Sequence, residues 1–108
     1  MFVEKFTRDG MVAVLISPGF GAGWSTWNSQ DNEFLLFDKT LVEFVMGGSD
    51  AGVVEDYINS VFLDDEVFMS GWEDVSLRWV DEGTHFIVHE YDGSEYIQVR
   101  DDVDWSVA

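Results

Sequence analysis

The chain has 108 residues, 22 of them Asp or Glu and only 5 Lys or Arg, for a formal net charge of −17. That length holds a single domain, residues 1–108, because two halves would each be too small for a core. The apolar share of 46% and aromatic share of 16% exclude charge-driven disorder, and the lack of bases excludes a direct nucleic-acid or anionic-membrane binder.

Cysteine is absent, so no disulfide framework or thiolate chemistry is available. The first eight residues mix charged and apolar side chains, unlike a signal peptide. The longest apolar run, Met11–Ile16, is about a third of the roughly 20 residues that a membrane helix needs. A cytoplasmic protein is expected.

The acid is concentrated late in the chain. Residues 1–49 carry six acids and three bases, and residues 50–108 carry sixteen acids and two bases. A folded chain of this mass exposes roughly 6,000 Å², or one excess charge per roughly 350 Å². Duplex DNA carries one per roughly 100 Å². Concentrated on half of the surface, the late acids come within about twofold of the duplex. Mimicry of a nucleic acid therefore requires a concentrated face.

In chain order, Met11–Ile16 is apolar throughout and rich in β-branched residues, which predicts a buried strand. Residues 17–31 form a long loop with Pro18, Gly19, Gly21, Gly23, Trp24 and Trp27, long enough to be functional or specially packed. Residues 33–37 are ambiguous. Residues 38–46 predict a helix capped by Asp38, stopped by Gly47-Gly48 and carrying a Lys39–Glu43 pair. Asp50 caps a second helix that runs to about Phe62. Its stripe of Val53, Val54, Tyr57, Ile58, Val61 and Phe62 is expected in the core.

Three strands are expected at 75–80, 84–91 and 94–100. Asp92-Gly93 between the last two predicts a type I′ hairpin. That turn pairs Glu90 with Glu95, His89 with Tyr96, Val88 with Ile97 and Phe86 with Val99, with Phe86, Val88, Ile97 and Val99 facing the core. A loop at Glu82-Gly83 is expected to pair Trp79 with Phe86 and Leu77 with Val88 in the same sheet. The fold class is α+β: an antiparallel sheet, made of a C-terminal three-stranded meander plus the N-terminal strand, covered on one face by two helices.

Two features break local rules. Asp64-Asp65-Glu66 follows directly after the second helix, whose C-terminus prefers cations. Glu90 opposite Glu95 sets like charges across a sheet. Solvated acids account for both features, and so does a surface kept acidic for a partner, since functional sites are where local rules fail. With Glu73, Asp74, Asp101, Asp102 and Asp104, and with Trp24 and Trp27, these acids form the candidate partner-binding set. The two tryptophans either plug the open side of the sheet or stand out as binding anchors.

Other chemistries find little support. None of the acid clusters has calcium-loop spacing. His85 and His89 lie roughly 13 Å apart along a strand, too far to share a zinc ion, and are expected opposite Arg100 and Tyr96. In Gly19-Phe20-Gly21-Ala22-Gly23 the third glycine falls one position early for a dinucleotide fingerprint, and no lysine makes it a phosphate loop. Ser17 and Ser25 lack a nucleophile elbow. No cofactor, metal or catalytic residue is expected, and the protein is read as non-enzymatic.

The strand followed by Gly19-Phe20-Gly21-Ala22-Gly23-Trp24-Ser25, together with the late Glu90-Tyr91-Asp92-Gly93-Ser94-Glu95, resembles a family of short, uncharacterised tailed-bacteriophage proteins. The resemblance implies a phage product acting in the host bacterial cytoplasm, and it supplies no catalytic residues. The expected function is to bind and inhibit a host defence or nucleic-acid-binding protein with a basic surface, through the acidic C-terminal half, as a nucleic-acid mimic. The alternatives are a phage structural or assembly accessory that forms homo-oligomers, and a protein adapted to high salt.

Overall fold

Six consecutive apolar residues stay dry on both sides only in a strand that lies between two covering layers. Met11–Ile16 is that strand. The computed structural model describes residues 3–19, 21–28, 32–63, 67 and 69–99. Strand β1 (Thr7–Arg8) turns through Asp9-Gly10 into β2 (Met11–Ile16), and both turn residues have positive φ, 53° and 78°. That is the backbone a type I′ turn requires, and Asp-Gly supplies it cheaply. Along its other edge β2 pairs antiparallel with β3 (Ser76–Asp81), from Met11↔Asp81 to Ile16↔Ser76.

The two faces of β2 then diverge. Ala13 and Leu15 pack against the helices α1 (Asn32–Phe37), α2 (Lys39–Gly47) and α3 (Ala51–Val61), meeting Leu35, Leu41, Val42, Val54 and Ile58. Val12, Val14 and Ile16 pack under a separate hairpin of β4 (Phe86–Tyr91) and β5 (Ser94–Val99), meeting Phe86, Val88 and Ile97. Among the described residues the fold is a small α+β arrangement with antiparallel sheets of three and two strands and three α-helices.

The expected meander does not form. The turn at Glu82-Gly83 leads out of β3, but β4 crosses to the next layer instead of pairing with it. Leu77 and Trp79 face the helices, whereas Phe86 and Val88 cover the opposite face of the sheet. The reason is burial: a flat meander would leave Val12, Val14 and Ile16 without cover. The hairpin itself has the expected register, from Phe86↔Val99 to Glu90↔Glu95, and Asp92 and Gly93 take φ values of 49° and 83°. Its apolar side lies on the sheet, with Phe37 of α1 as the helical contact. The expected partner of His85, Arg100, lies outside the described residues.

The helices follow their caps. Asp38 accepts from the Leu41 N–H at 3.1 Å, and Asp50 accepts from the Gly52 N–H at 2.7 Å. Gly48 closes α2 in the left-handed region, as a C-terminal glycine does. Of the apolar stripe on α3, Val54, Ile58 and Phe62 are buried, while Tyr57 and Val61 are half-buried at its rim. Val53 is exposed, because the expected stripe was one residue wider than the groove that receives it. Lys39 pairs with Glu4 at 3.5 Å, from the segment preceding β1.

Asp38 also ties α2 to α3, because its Oδ2 accepts from the Tyr57 hydroxyl at 2.9 Å. Burial first, and then Asp38, raises the Tyr57 phenol above its ordinary value, against a lowering from a Thr40 hydrogen bond. A phenol whose folded value is raised adds stability that is intact below its unfolded value and disappears as pH climbs through the folded one. Tyr57→Phe should therefore cost about 1 kcal/mol at pH 8 and show a shrinking deficit above about pH 10. Urea midpoints across that range check it; a constant deficit contradicts the account.

Candidate functional site

In an antiparallel hairpin every second residue shares a face. Glu90 and Glu95 therefore stand on the same side as Phe86, Val88, Ile97 and Val99, the side that meets the sheet. For Glu95 the consequence is complete burial, at 1% exposure. Isolated, a buried carboxylate is costly, so its oxygens must find donors.

The glycine-rich loop supplies them. Oε1 accepts from the Ser17 N–H at 2.8 Å, and Oε2 accepts from the Trp24 N–H at 2.9 Å and the Thr26 N–H at 3.0 Å. The Thr26 hydroxyl gives the carboxylate its fourth bond, the third to Oε2, at 2.5 Å. Ser17 is doubly engaged, because its carbonyl accepts from the Glu95 N–H at 2.7 Å. Among the described residues no Lys or Arg pairs with Glu95. Backbone dipoles replace a counter-ion, in the manner of an anion-binding nest.

The same loop grips the turn. The Gly21 N–H donates to the Asp92 carbonyl at 2.8 Å, and the Ser94 hydroxyl donates to the Pro18 carbonyl at 2.7 Å. Gly93 lies so close to Ala22 that a β-carbon there would overlap its backbone. On the far side of the loop, the Asp74 side chain fills the space a β-carbon on Gly19 would need. Gly19, against Asp74, and Gly21, bonded to Asp92, are two residues and so at most about 7 Å apart, which brings the Glu73-Asp74 and Glu90–Asp92 segments to the same loop.

The candidate residues thus divide. Glu73 and Asp74 are exposed in a 3₁₀ turn, Trp72–Asp74. Glu90 is exposed, and its Oε2 accepts from the Gly93 N–H at 3.0 Å and the Trp27 indole N–H at 3.3 Å. Trp27 is 41% exposed. Two expectations need correction. Glu95 is not a surface acid, and its opposition to Glu90 is not a like-charge pair in solvent: one member is sealed inside. Trp24 is not a surface anchor either. It is fully buried, edge-on to Trp72 with ring centroids 5.4 Å apart, and its indole N–H donates to the Leu35 carbonyl at 2.8 Å. Asp64, Asp65, Glu66, Asp101, Asp102 and Asp104 lie outside the described residues.

The four bases among the described residues are occupied elsewhere. Lys5 sits 4.5 Å over the Phe37 ring, and Arg8 covers Phe6 and Trp79 at 5.3 and 5.6 Å. Arg78 donates to the Ser76 hydroxyl and the Leu77 carbonyl. Among the described residues the one ion pair is Lys39–Glu4.

Little here points to chemistry. A cleft of about 520 Å³ between the layers is lined by Phe37, Val80, Phe86, Lys5, Thr84 and His85, among others. His89 is engaged by Gln98 and stacked on Tyr96. Among the described residues no group of three or more His, Asp or Glu is placed to hold a metal, and no helix is long and apolar enough to cross a membrane. Comparison with protein-family models, curated proteins and solved structures returns no match for this chain.

A glutamine at position 95 offers one acceptor oxygen and sets its NH₂ against a donor. Glu95→Gln should cost about 3 kcal/mol, the scale of losing charge-assisted bonds and stranding a buried N–H, while Glu90→Gln should stay within about 0.5 kcal/mol. Urea unfolding measures both, and equal effects would contradict the buried role of Glu95.

Proposed function

We propose that this chain is a non-enzymatic acidic binding protein that occupies the basic, nucleic-acid-binding surface of a protein partner. The observation that carries the reading is the gathering of Glu73, Asp74, Glu90 and Asp92 around the glycine-rich loop, exposed and without an ion-pair partner among the described residues. Carboxylates held in this way stand in for phosphates. Long-range attraction raises the encounter rate, and the contact weakens as salt screens it. In the phage setting that the resemblance implies, the partner is a host nuclease, defence effector or transcription factor in the bacterial cytoplasm, and occupation of its surface inhibits it.

Asp64, Asp65, Glu66, Asp101, Asp102 and Asp104 add to the acidic charge of the same half of the sequence. Trp27, beside Glu90, supplies an aromatic contact of the kind that anchors interfaces. A second reading, an assembly accessory that forms homo-oligomers, draws on the exposed Ile87, Tyr91 and Tyr96. The charge of −17 opposes it, because like-charged copies repel.

Immobilised full-length chain should capture a DNA-binding protein from bacterial lysate at about 50 mM salt and release it at about 500 mM. The variant combining Glu73→Gln, Asp74→Asn, Glu90→Gln and Asp92→Asn should capture at least roughly tenfold less, since each lost charge contact weakens binding by a few-fold. The purified partner should lose DNA binding when the chain is added. A partner that holds the chain and DNA together rejects the mimicry, and salt-insensitive capture rejects the acidic surface.

A further inference from the structure

The hairpin that carries Glu95 inward carries a different set of side chains outward. Ile87, His89 and Tyr91 on β4 share the outer face with Ser94, Tyr96 and Gln98 on β5. Ile87 is 63% exposed, Tyr91 70% and Tyr96 53%. His89 stacks on Tyr96 at 5.3 Å between centroids, with the rings 25° from parallel, and is held by Gln98. Tyr91 lies diagonally across from Tyr96, within reach of the same bound group. Three large apolar or aromatic side chains grouped on one exposed face make a patch of the kind that marks interaction sites.

Charge selects which partner. Residues 86–99 contain no Lys or Arg; Glu95 is sealed inside, Glu90 stands on the side that meets the sheet, and Asp92 is exposed in the turn next to Tyr91. A second copy would bring two acidic hairpins together within a chain of net charge −17. A cation that also stacks on rings suits both halves of the surface. Guanidinium does this better than ammonium, because it is planar, weakly hydrated and able to bond a carboxylate through a two-pronged fork.

We infer that the outer face of the β4–β5 hairpin seats an arginine-bearing segment of the protein partner, with guanidinium groups stacked on Tyr91 and Tyr96 and paired with Asp92 at the turn. This rests on the acidic-surface reading and makes it specific: arginine, not positive charge in general, is what the hairpin recognises.

The test uses the full chain, with nona-arginine and nona-lysine as probes of equal charge, followed by amide NMR at about 150 mM salt. The arginine peptide should bind about fivefold more tightly than the lysine peptide and shift signals across residues 86–98. Tyr91→Ala with Tyr96→Ala should remove that advantage while leaving lysine binding in place. Tyr91→Phe with Tyr96→Phe, which keeps the rings, should preserve it and controls for folding. Equal affinity for the two peptides, or shifts confined to the helices, overturns the hairpin assignment and leaves the acidic surface standing. Absence of binding to either peptide at about 50 mM salt overturns both. Self-association that the double alanine variant abolishes assigns the face to a second copy and overturns the inference.

Discussion

The burial of one carboxylate organises this molecule. A two-stranded hairpin is marginal in water by itself, and β4–β5 has no strand neighbour among the described residues. Apolar contact through Phe86, Val88 and Ile97 brings it to the sheet, but such contact has no direction and would tolerate sliding. Glu95 removes that freedom. Its two oxygens reach Ser17, Trp24 and Thr26, three points along the loop, and Ser17 returns a bond to the Glu95 backbone. Displacing the hairpin by one residue would turn the carboxylate to the other face and strand those donors. The contact therefore sets position as well as affinity between the layers.

The same logic recurs at Asp38, the other buried acid of the described chain, whose carboxylate caps α2 and receives the Tyr57 hydroxyl. In a chain with so few bases, interior acids cannot rely on ion pairs. They bind backbone N–H groups and hydroxyls instead, and the rare cations are left to cover aromatic rings, as Lys5 and Arg8 do. Acids thus fall into two kinds. Asp38 and Glu95 are structural and sealed, whereas the exposed acids of the described chain, Glu4 apart, stand without an ion pair among the described residues.

How much of this was legible depended on which rule was followed to its end. Caps at Asp38 and Asp50, the stop at Gly47-Gly48 and the hairpin register around Asp92-Gly93 are local, and each follows from a few adjacent residues. Asp9-Gly10 carried the same turn signal as Asp92-Gly93, and it makes the β1–β2 turn. The burial of Glu95 was also within reach. Once Val88 and Ile97 face the core, alternation carries Glu90 and Glu95 to the same side, and only the habit of placing acids in solvent hid it. Layer order was out of reach, because whether β3 pairs with β2 or with β4 depends on which face of Met11–Ile16 would otherwise stay wet. The choice of Trp24 over Trp27 for the core likewise depends on Leu35 and Trp72, which are distant in sequence.

The buried and exposed acids are then not independent. Glu95 fixes the root of the hairpin, and its neighbours Asp92 and Ser94 are bonded to Gly21 and Pro18 of the same loop that rests against Asp74. Glu90 is steadied in turn by the Gly93 N–H and the Trp27 indole. Surface carboxylates on free side chains give up rotamer entropy when a partner orders them, whereas groups already held by a rigid turn give up less. An acid spent inside the fold thereby places the acids outside it, and a strongly charged chain gains a shaped surface instead of a diffuse cloud. The aromatic outer face shares that root: Tyr96 follows Glu95 directly, so the contact that seals one side chain also aims the next one outward.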